Sequence, residues 1–391
     1  MDFLSDVRPT YVEINLDNLA HNFREIEKIV KKDTIVMPVI KANGYGHGSI
    51  ELAKLYKSIG AKRFAVSLLS EAIELSKAGI KEPILILNYT PSSQMEQVVE
   101  HNLIQTIYRL EDAIILSEKA QQKDKNVKIH IKVDTGMSRL GFLPEDDSIE
   151  EILKIIQLKN IEVEGIYTHF AKADEVDKTF TKTQYNRFQW VVEELEKKGG
   201  DIPIKHVSNS AAIIDIPEYN LDIVRPGIIL YGYYPSDEVM KEKIDLKPAM
   251  TLKSLISNIK TLPKETGISY GHLFTTEKES KIATVPIGYA DGYTRILTGK
   301  AEAYVGDRRV PVAGKICMDQ LMLDITGLDD IKIGEEVVFF GVGNPDYPQV
   351  DEVAKKLGTI NYEIICMMGR RLPRVYTKEG NVVKTIDYLL D

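Results

Sequence analysis

Between residues 34 and 230 short apolar runs alternate with amphipathic stretches, and the apolar runs recur eight times. Strands are expected at 35–40, 63–67, 84–88, 103–107, 128–133, 162–168, 204–207 and 221–225. Between them lie helical patterns such as Ile50–Tyr56, Glu71–Ala78, Ile149–Gln157 and Gln184–Lys198. A strand in a parallel sheet is covered on both faces, so it reads as a nearly unbroken apolar run. Eight such units within roughly 200 residues match a (β/α)8 barrel of the TIM type. A doubly wound open sheet is the rival architecture, but it has no need of eight units, and no G-x-G-x-x-G follows the first strand.

After about residue 245 the texture changes. Ala249–Lys260, Lys281–Ile287, Ala301–Val305, Arg308–Val312, Gln320–Ile325 and Glu336–Phe340 are strand-like and separated by Gly, Pro and Asp turns, with helical periodicity returning at Val350–Leu357. This predicts a mainly antiparallel β domain. The expected division is therefore a barrel over 1–240 and a β domain over 241–391. Thr10–Leu16 also alternates and precedes a helical stretch over Asp17–Lys31.

The 391 residues carry a formal charge of −8, which argues against nucleic acid or an anionic membrane as the main partner. The two cysteines, Cys317 and Cys366, make no disulfide framework. Met1–Arg8 has neither a basic start nor an apolar core, unlike a secretory signal, and no apolar stretch reaches the length of a membrane helix. A soluble cytoplasmic protein is the expectation, with no metal site assigned.

In a barrel of this class the residues just past each strand's C-terminal end face the active site. Here they are Lys41, Ser67, Asn88, Tyr108, Asp134, His169, Ser208 with Asn209, and Arg225. Cationic and hydroxyl groups at one mouth suit an anionic, phosphorylated ligand. Lys41 opens the run Lys41-Ala42-Asn43-Gly44-Tyr45-Gly46-His47-Gly48, directly after an apolar strand. A lysine there either ends the strand in solvent or, once its pKa is lowered, attacks a carbonyl. Asn209 and Ser210 open a short helix after strand seven, where such residues either cap the helix or meet phosphate. Arg225-Pro226-Gly227-Ile228 follows strand eight, and its proline and glycine permit close backbone approach to a ligand.

The Lys41–Gly48 run resembles the pyridoxal-phosphate (PLP) attachment signature of alanine racemases. Further matching motifs are Lys132-Val133-Asp134-Thr135-Gly136-Met137-Ser138-Arg139-Leu140-Gly141, Tyr167-Thr168-His169-Phe170-Ala171 and Gly267-Ile268-Ser269-Tyr270-Gly271. Ile287–Tyr293, Lys315–Asp319 and Gly358–Glu363 extend the likeness toward the C-terminus. The resemblance implies a PLP-dependent racemase interconverting L- and D-alanine, with Lys41 and Tyr270 as the two bases and a supply of D-alanine for the cell wall as its role. It implies that Ser210, Gly227, Ile228 and Tyr362 hold the phosphate, with Asn209 and Tyr45 also at the cofactor. Arg225 faces the pyridine nitrogen, and because arginine does not readily give up a proton, that nitrogen stays unprotonated. Lys132 is carbamylated in many members and orients Arg139 toward the cofactor and substrate. His169 supports Tyr270, Met318 lies near the substrate carboxylate, and Tyr289 narrows the entry channel. The family also implies that the chain's start joins the β domain, and that this domain reaches the partner's barrel in a homodimer with composite sites.

A broad-specificity amino-acid racemase is the nearest alternative. A PLP decarboxylase is disfavoured by Arg225, where those enzymes use an acidic residue. A PLP carrier protein is disfavoured by the presence of a second domain.

Overall fold

The computed structural model describes residues 7–390, so the reading of Met1–Asp6 as unlike a secretory leader falls outside the described residues. Two compact units emerge. One comprises Ala20–Gly44 and Ser49–Lys247; the other takes the described residues up to Leu19, the loop Tyr45–Gly48 and the chain from Pro248.

The first unit is a closed barrel of eight parallel strands, β1 (Ile35–Val36), β2 (Phe64–Val66), β3 (Ile84–Ile86), β4 (Ile104–Ile107), β5 (Val127–Lys132), β6 (Ile161–Tyr167), β7 (Ile204–His206) and β8 (Ile223–Val224). Strands β2 to β7 form one continuous parallel sheet. Strand β1 pairs with β8 through Ile35↔Ile223 and Val36↔Val224. A parallel bridge, Val39↔Ala65, joins the end of the first run to β2. Two backbone bonds, Asp222 N–H to Lys205 O and Arg225 N–H to Ser208 O, both 3.1 Å, join β8 to β7. The ring is thus complete. The first strand is shorter than the apolar run 35–40 because Pro38, lacking an N–H, interrupts the ladder. Outside the barrel, the helix Thr179–Lys197 buries Phe188, Val191, Val192 and Leu195, the i, i+3, i+4, i+7 set of one helical face.

The second unit is built on a seven-stranded sheet in the order Arg308–Pro311, Glu302–Val305, Glu336–Phe340, Met250–Leu255, Tyr11–Asn15, Arg374–Lys378, Asn381–Ile386. Tyr11–Asn15 lies antiparallel to Met250–Leu255 and parallel to Arg374–Lys378, in the middle of this sheet. The expected strand Ala249–Lys260 is two strands. Ile256 N–H still bonds Glu335 O, while Ser257 N–H bonds Thr284 O, so the chain changes sheets between them. Its second half, Asn258–Leu262, enters a three-stranded sheet with Ser280–Val285 and Leu321–Asp324. The final hairpin was not foreseen. Its turn residues Glu379 and Gly380 both have positive φ, 50° and 75°, as a tight hairpin turn requires. Among the described residues no helix is long and apolar enough to cross a membrane.

Candidate active site

Lys41 leaves the barrel at the end of the first apolar run and enters a left-handed turn: φ is 52° at Ala42, 53° at Asn43 and 60° at Gly44. Left-handed backbone costs an L-residue roughly 1–2 kcal/mol, so other contacts must hold it. Glu71 supplies one of them. Its Oε1 accepts from Ala42 N–H at 2.6 Å, and its Oε2 accepts from Ser67 N–H at 2.8 Å and Leu68 N–H at 3.0 Å. One carboxylate thereby ties the exits of β1 and β2 together. Asn43 Oδ1 accepts from Ser49 N–H at 3.2 Å on the far side of the loop.

Arg225, just past β8, is the centre of the mouth's electrostatics. The side chain is buried, and the acceptors it meets among the described residues are neutral. Nη1 donates to His206 Nδ1 at 2.7 Å; Nη2 donates to Thr168 O at 2.7 Å, to Val207 O at 3.0 Å and to His169 Nδ1 at 3.4 Å. Burial brings the guanidinium down to about 10, which leaves it charged at neutral pH. The His169 imidazole is held well below its usual value by burial and by the charges of Arg225, Lys132, Arg139 and Lys41. His169 is therefore neutral and serves as an acceptor. Tyr167 lies beneath this group, with Arg225 and Lys132 over its ring at 5.1 and 5.2 Å.

Lys132 ends β5 and is buried, donating to Val133 O at 2.9 Å. Burial and the charges of Arg225 and Arg139 depress its ammonium to about 7. The following loop is shaped by Asp134, which accepts from the backbone N–H groups of Gly136, Ser138 and Arg139 at 3.0, 2.9 and 2.8 Å. Arg139 itself is exposed. Arg139 and the protonated Lys132 are both donors only, so in that state neither accepts from the other.

Past β7, Asn209 caps the short helix Ser210–Asp215 by accepting from Ala212 N–H at 3.1 Å. Ser210 Oγ accepts from Gly227 N–H at 2.9 Å, which ties the β7 exit to the β8 exit. A hydroxyl that accepts there keeps its own hydrogen for another partner. Ile228 is buried directly after. The buried cation without a carboxylate, the free hydroxyl hydrogen and the nearby lysine fit an anionic phosphate and a basic ring nitrogen, which is the donor set PLP requires.

The β unit carries a second group. Tyr270 sits on a short 3-10 turn, Tyr270–His272, and is 69 % exposed. With Ser269, Cys317 and Met318 it lines a cavity of about 580 Å³. Tyr289 stands on the adjoining turn, whose Tyr289 and Ala290 N–H groups donate to Cys317 O and Met318 O at 3.0 and 3.1 Å. Gly288 permits that approach, since a Cβ there would lie 2.3 Å from both carbonyl oxygens. Tyr362 and Tyr45, also of this unit, face each other with ring centroids 6.3 Å apart.

Residue types at strand ends did not reveal Glu71, His206, His130 or Glu164. A trace of His130 was visible: Lys128, His130 and Lys132 alternate with apolar residues in β5, the mark of a polar face.

Two family models match the chain: the N-terminal domain of alanine racemase over residues 14–235 and its C-terminal domain over 249–376. An alanine racemase of Clostridium tetani is 50% identical over 384 residues, covering 98% of this chain and 99% of the relative. The structure of alanine racemase from Clostridium difficile 630 superposes with a TM-score of 0.94 at 45% identity, covering 97% of this chain and 99% of that one. The alanine racemase of Bacillus anthracis with bound L-Ala-P superposes with a TM-score of 0.93 at 37% identity, covering 98% and 99%.

Proposed function

The chain belongs to the alanine racemase family, and on that premise we propose how its residues share the work. The activity is the PLP-dependent interconversion of L- and D-alanine, an isomerisation. The observation that carries the assignment of residues is Arg225, a buried cation at the barrel mouth held, among the described residues, by neutral acceptors. Bound PLP supplies the electron sink that makes the α-hydrogen of alanine removable.

Ser210 holds the phosphate with its hydroxyl, and Gly227 and Ile228 with their backbone; Asn209 keeps the short helix in place behind them. Tyr45 and Tyr362 complete the cofactor's surroundings. Arg225 meets the pyridine nitrogen as a donor that keeps its proton. Lys41 Nζ takes or returns a proton on one face of the α-carbon, and Tyr270 Oη does so on the other. Lys132, neutral for much of the physiological range, adds CO2 at Nζ and releases one proton to solvent. The resulting carbamate is an acceptor able to draw in Arg139, which an ammonium cannot do. Arg139 and Met318 then receive the substrate carboxylate, and Tyr289 narrows the way in. The exposed Tyr270 is covered in a homodimer, where it approaches the partner's barrel mouth and the neutral His169 there. A cytoplasmic location goes with this reading.

The test is enantiomer interconversion by purified protein supplied with PLP, across a panel of L-amino acids. D-alanine forming far faster than any other product is the expected result. Bound PLP with no racemisation of any of them would overturn the reading.

A further inference from the structure

A line of buried side chains runs through the barrel interior from Arg225 at the mouth to the opposite end. Arg225 Nη1 lies 2.7 Å from His206 Nδ1, His206 Nε2 lies 2.8 Å from His130 Nδ1, and His130 Nε2 lies 3.0 Å from Glu164 Oε2. Glu164 is anchored in turn by Arg63 at 3.1 and 3.3 Å and by Lys128 Nζ at 2.8 Å. Both imidazoles are fully buried.

The protons along this line are determined by its ends. Arginine only donates, so His206 Nδ1 must accept, and a neutral His206 then carries its hydrogen on Nε2. That hydrogen points at His130 Nδ1, which accepts and places the His130 hydrogen on Nε2, toward Glu164. Glu164 accepts as a carboxylate. Burial works against its ionisation, but the hydrogen bonds from His130, Arg63 and Lys128 hold it well below the usual carboxylate range. Burial and the charge of Arg225 keep His206 neutral; burial likewise lowers His130, against the pull of Glu164.

Three local features of β6 build the line. Ile129 pairs with Val163 and His130 with Gly165, so Glu164 is the extra residue of a β-bulge. A bulge of this kind re-aims a side chain that regular pleating would direct elsewhere. A Cβ on Gly165 would lie 2.6 Å from the His130 ring, so the glycine makes the room that imidazole occupies. Tyr167 stacks on His206 at 4.6 Å and 7°, which fixes the plane of that ring.

We propose that Glu164, His130 and His206 are positioning residues for Arg225. Together they lock the imidazole beside it in the Nε2–H tautomer, so that Arg225 is presented to the cofactor's pyridine nitrogen in one orientation as a permanent donor. This rests on the reading that Arg225 faces that nitrogen. The consequence is long-range: a charge at the far end of the barrel sets the hydrogen-bonding state of a residue at its mouth.

Glu164→Gln tests it directly. Arg63 and Lys128 claim the amide oxygen, leaving the NH2 group to face His130. His130 must then accept at Nε2 and donate from Nδ1, which drives His206 into the Nδ1–H tautomer, donor against donor with Arg225. In the holoenzyme carrying 15N-labelled histidine, wild-type protein is expected to show His130 and His206 neutral with hydrogen on Nε2, the signals being assigned through His130→Gln. Glu164→Gln is expected to move both to the other tautomer. It should also shift the absorbance of bound PLP and lower kcat by about 10- to 100-fold, with KM for alanine changed far less. Gly165→Ala keeps every charge but displaces the His130 ring, and should reproduce the spectral shift. Arg225→Lys is the control. If it alters the PLP spectrum while Glu164→Gln and Gly165→Ala leave tautomers, spectrum and kcat unchanged, the positioning line is overturned and the placement of Arg225 stands. If Arg225→Lys itself leaves the spectrum untouched, the placement of Arg225 fails and the proposal fails with it.

Discussion

Arg374 Nε donates to the carbonyl oxygen of Gly46 at 2.8 Å, although the two residues are 328 positions apart. The other guanidinium nitrogens bind the carbonyls of Met368, Gly369 and Leu372, so one fully buried cation gathers four backbone acceptors. Tyr376 adds a hydroxyl bond to His47 O at 3.0 Å. The loop that carries Tyr45 is thus held by the strand Arg374–Lys378 of its own unit.

Removing this cation should loosen the loop more than it alters the strand. Arg374→Met leaves four buried carbonyls without a donor, each costing roughly 1–3 kcal/mol if water does not replace it. A fall of several degrees in the thermal midpoint is expected, together with loss of amide-exchange protection at 45–48. Arg374→Lys should recover little, because an ammonium cannot reproduce the planar fork. Unchanged exchange in both variants would show that the loop is held by something else.

Glycines in this chain should divide sharply by surroundings. Gly48 has φ +97°, and a Cβ there would lie 1.9 Å from the Tyr376 hydroxyl oxygen. Gly199 has φ +80° and nothing within 4 Å. Both alanine variants meet the left-handed backbone penalty of about 1–2 kcal/mol, but only Gly48→Ala must also displace Tyr376 and its bond to His47. Urea denaturation should therefore find Gly48→Ala less stable than Gly199→Ala by a further few kcal/mol. Equal midpoints would mean that Tyr376 moves aside freely.

The barrel was legible in the sequence because parallel strands covered on both faces leave an apolar signature that helices of this size do not. The candidate residues followed from it, since a strand's end fixes which side chain reaches the mouth. Their pairing did not follow. That Ser210 meets Gly227, or that Arg225 meets His206, depends on the register between neighbouring strands, and the histidine line additionally needs a bulge at Glu164 that leaves no compositional mark. The left-handed turn after Lys41 was hidden for another reason: Ala42 and Asn43 are held there partly by Glu71, a residue from a different strand–helix unit. The closing hairpin, by contrast, leaves a local mark, Glu379-Gly380 between two alternating segments, although no strand was expected there.

Lys132 gives the chain a pH signature of definite sign. Its ammonium falls from an ordinary 10.5 to about 7 in the folded protein. Between these values the unfolded chain binds the proton and the folded one does not, so this group makes stability rise with pH across that window. Below pH 7 the full penalty of burying the charge applies. In CO2-free buffer Lys132→Met should be more resistant to urea than wild type at pH 6, by a few kcal/mol, with the advantage shrinking toward pH 10. A constant difference across that range would place the lysine's titration elsewhere. Bicarbonate should protect wild type but not the variant, because the carbamate needs the Lys132 amine.

The two bases offer a test of assembly as well as of chemistry. Lys41 lies in the barrel unit and Tyr270 in the β unit, and Tyr270 is largely exposed. Lys41→Ala and Tyr270→Phe each remove a proton carrier, and each homogeneous variant should lose at least about 100- to 10,000-fold in racemisation. In a dimer that shares its sites, a mixed pair joins the intact Lys41 of one subunit to the intact Tyr270 of the other. Random reassembly makes about half of all dimers mixed, and each mixed dimer holds one working site of two. Unfolding and refolding the variants together should then restore activity toward about a quarter of wild type. If each site drew both residues from a single chain, no mixture of the two variants could recover anything.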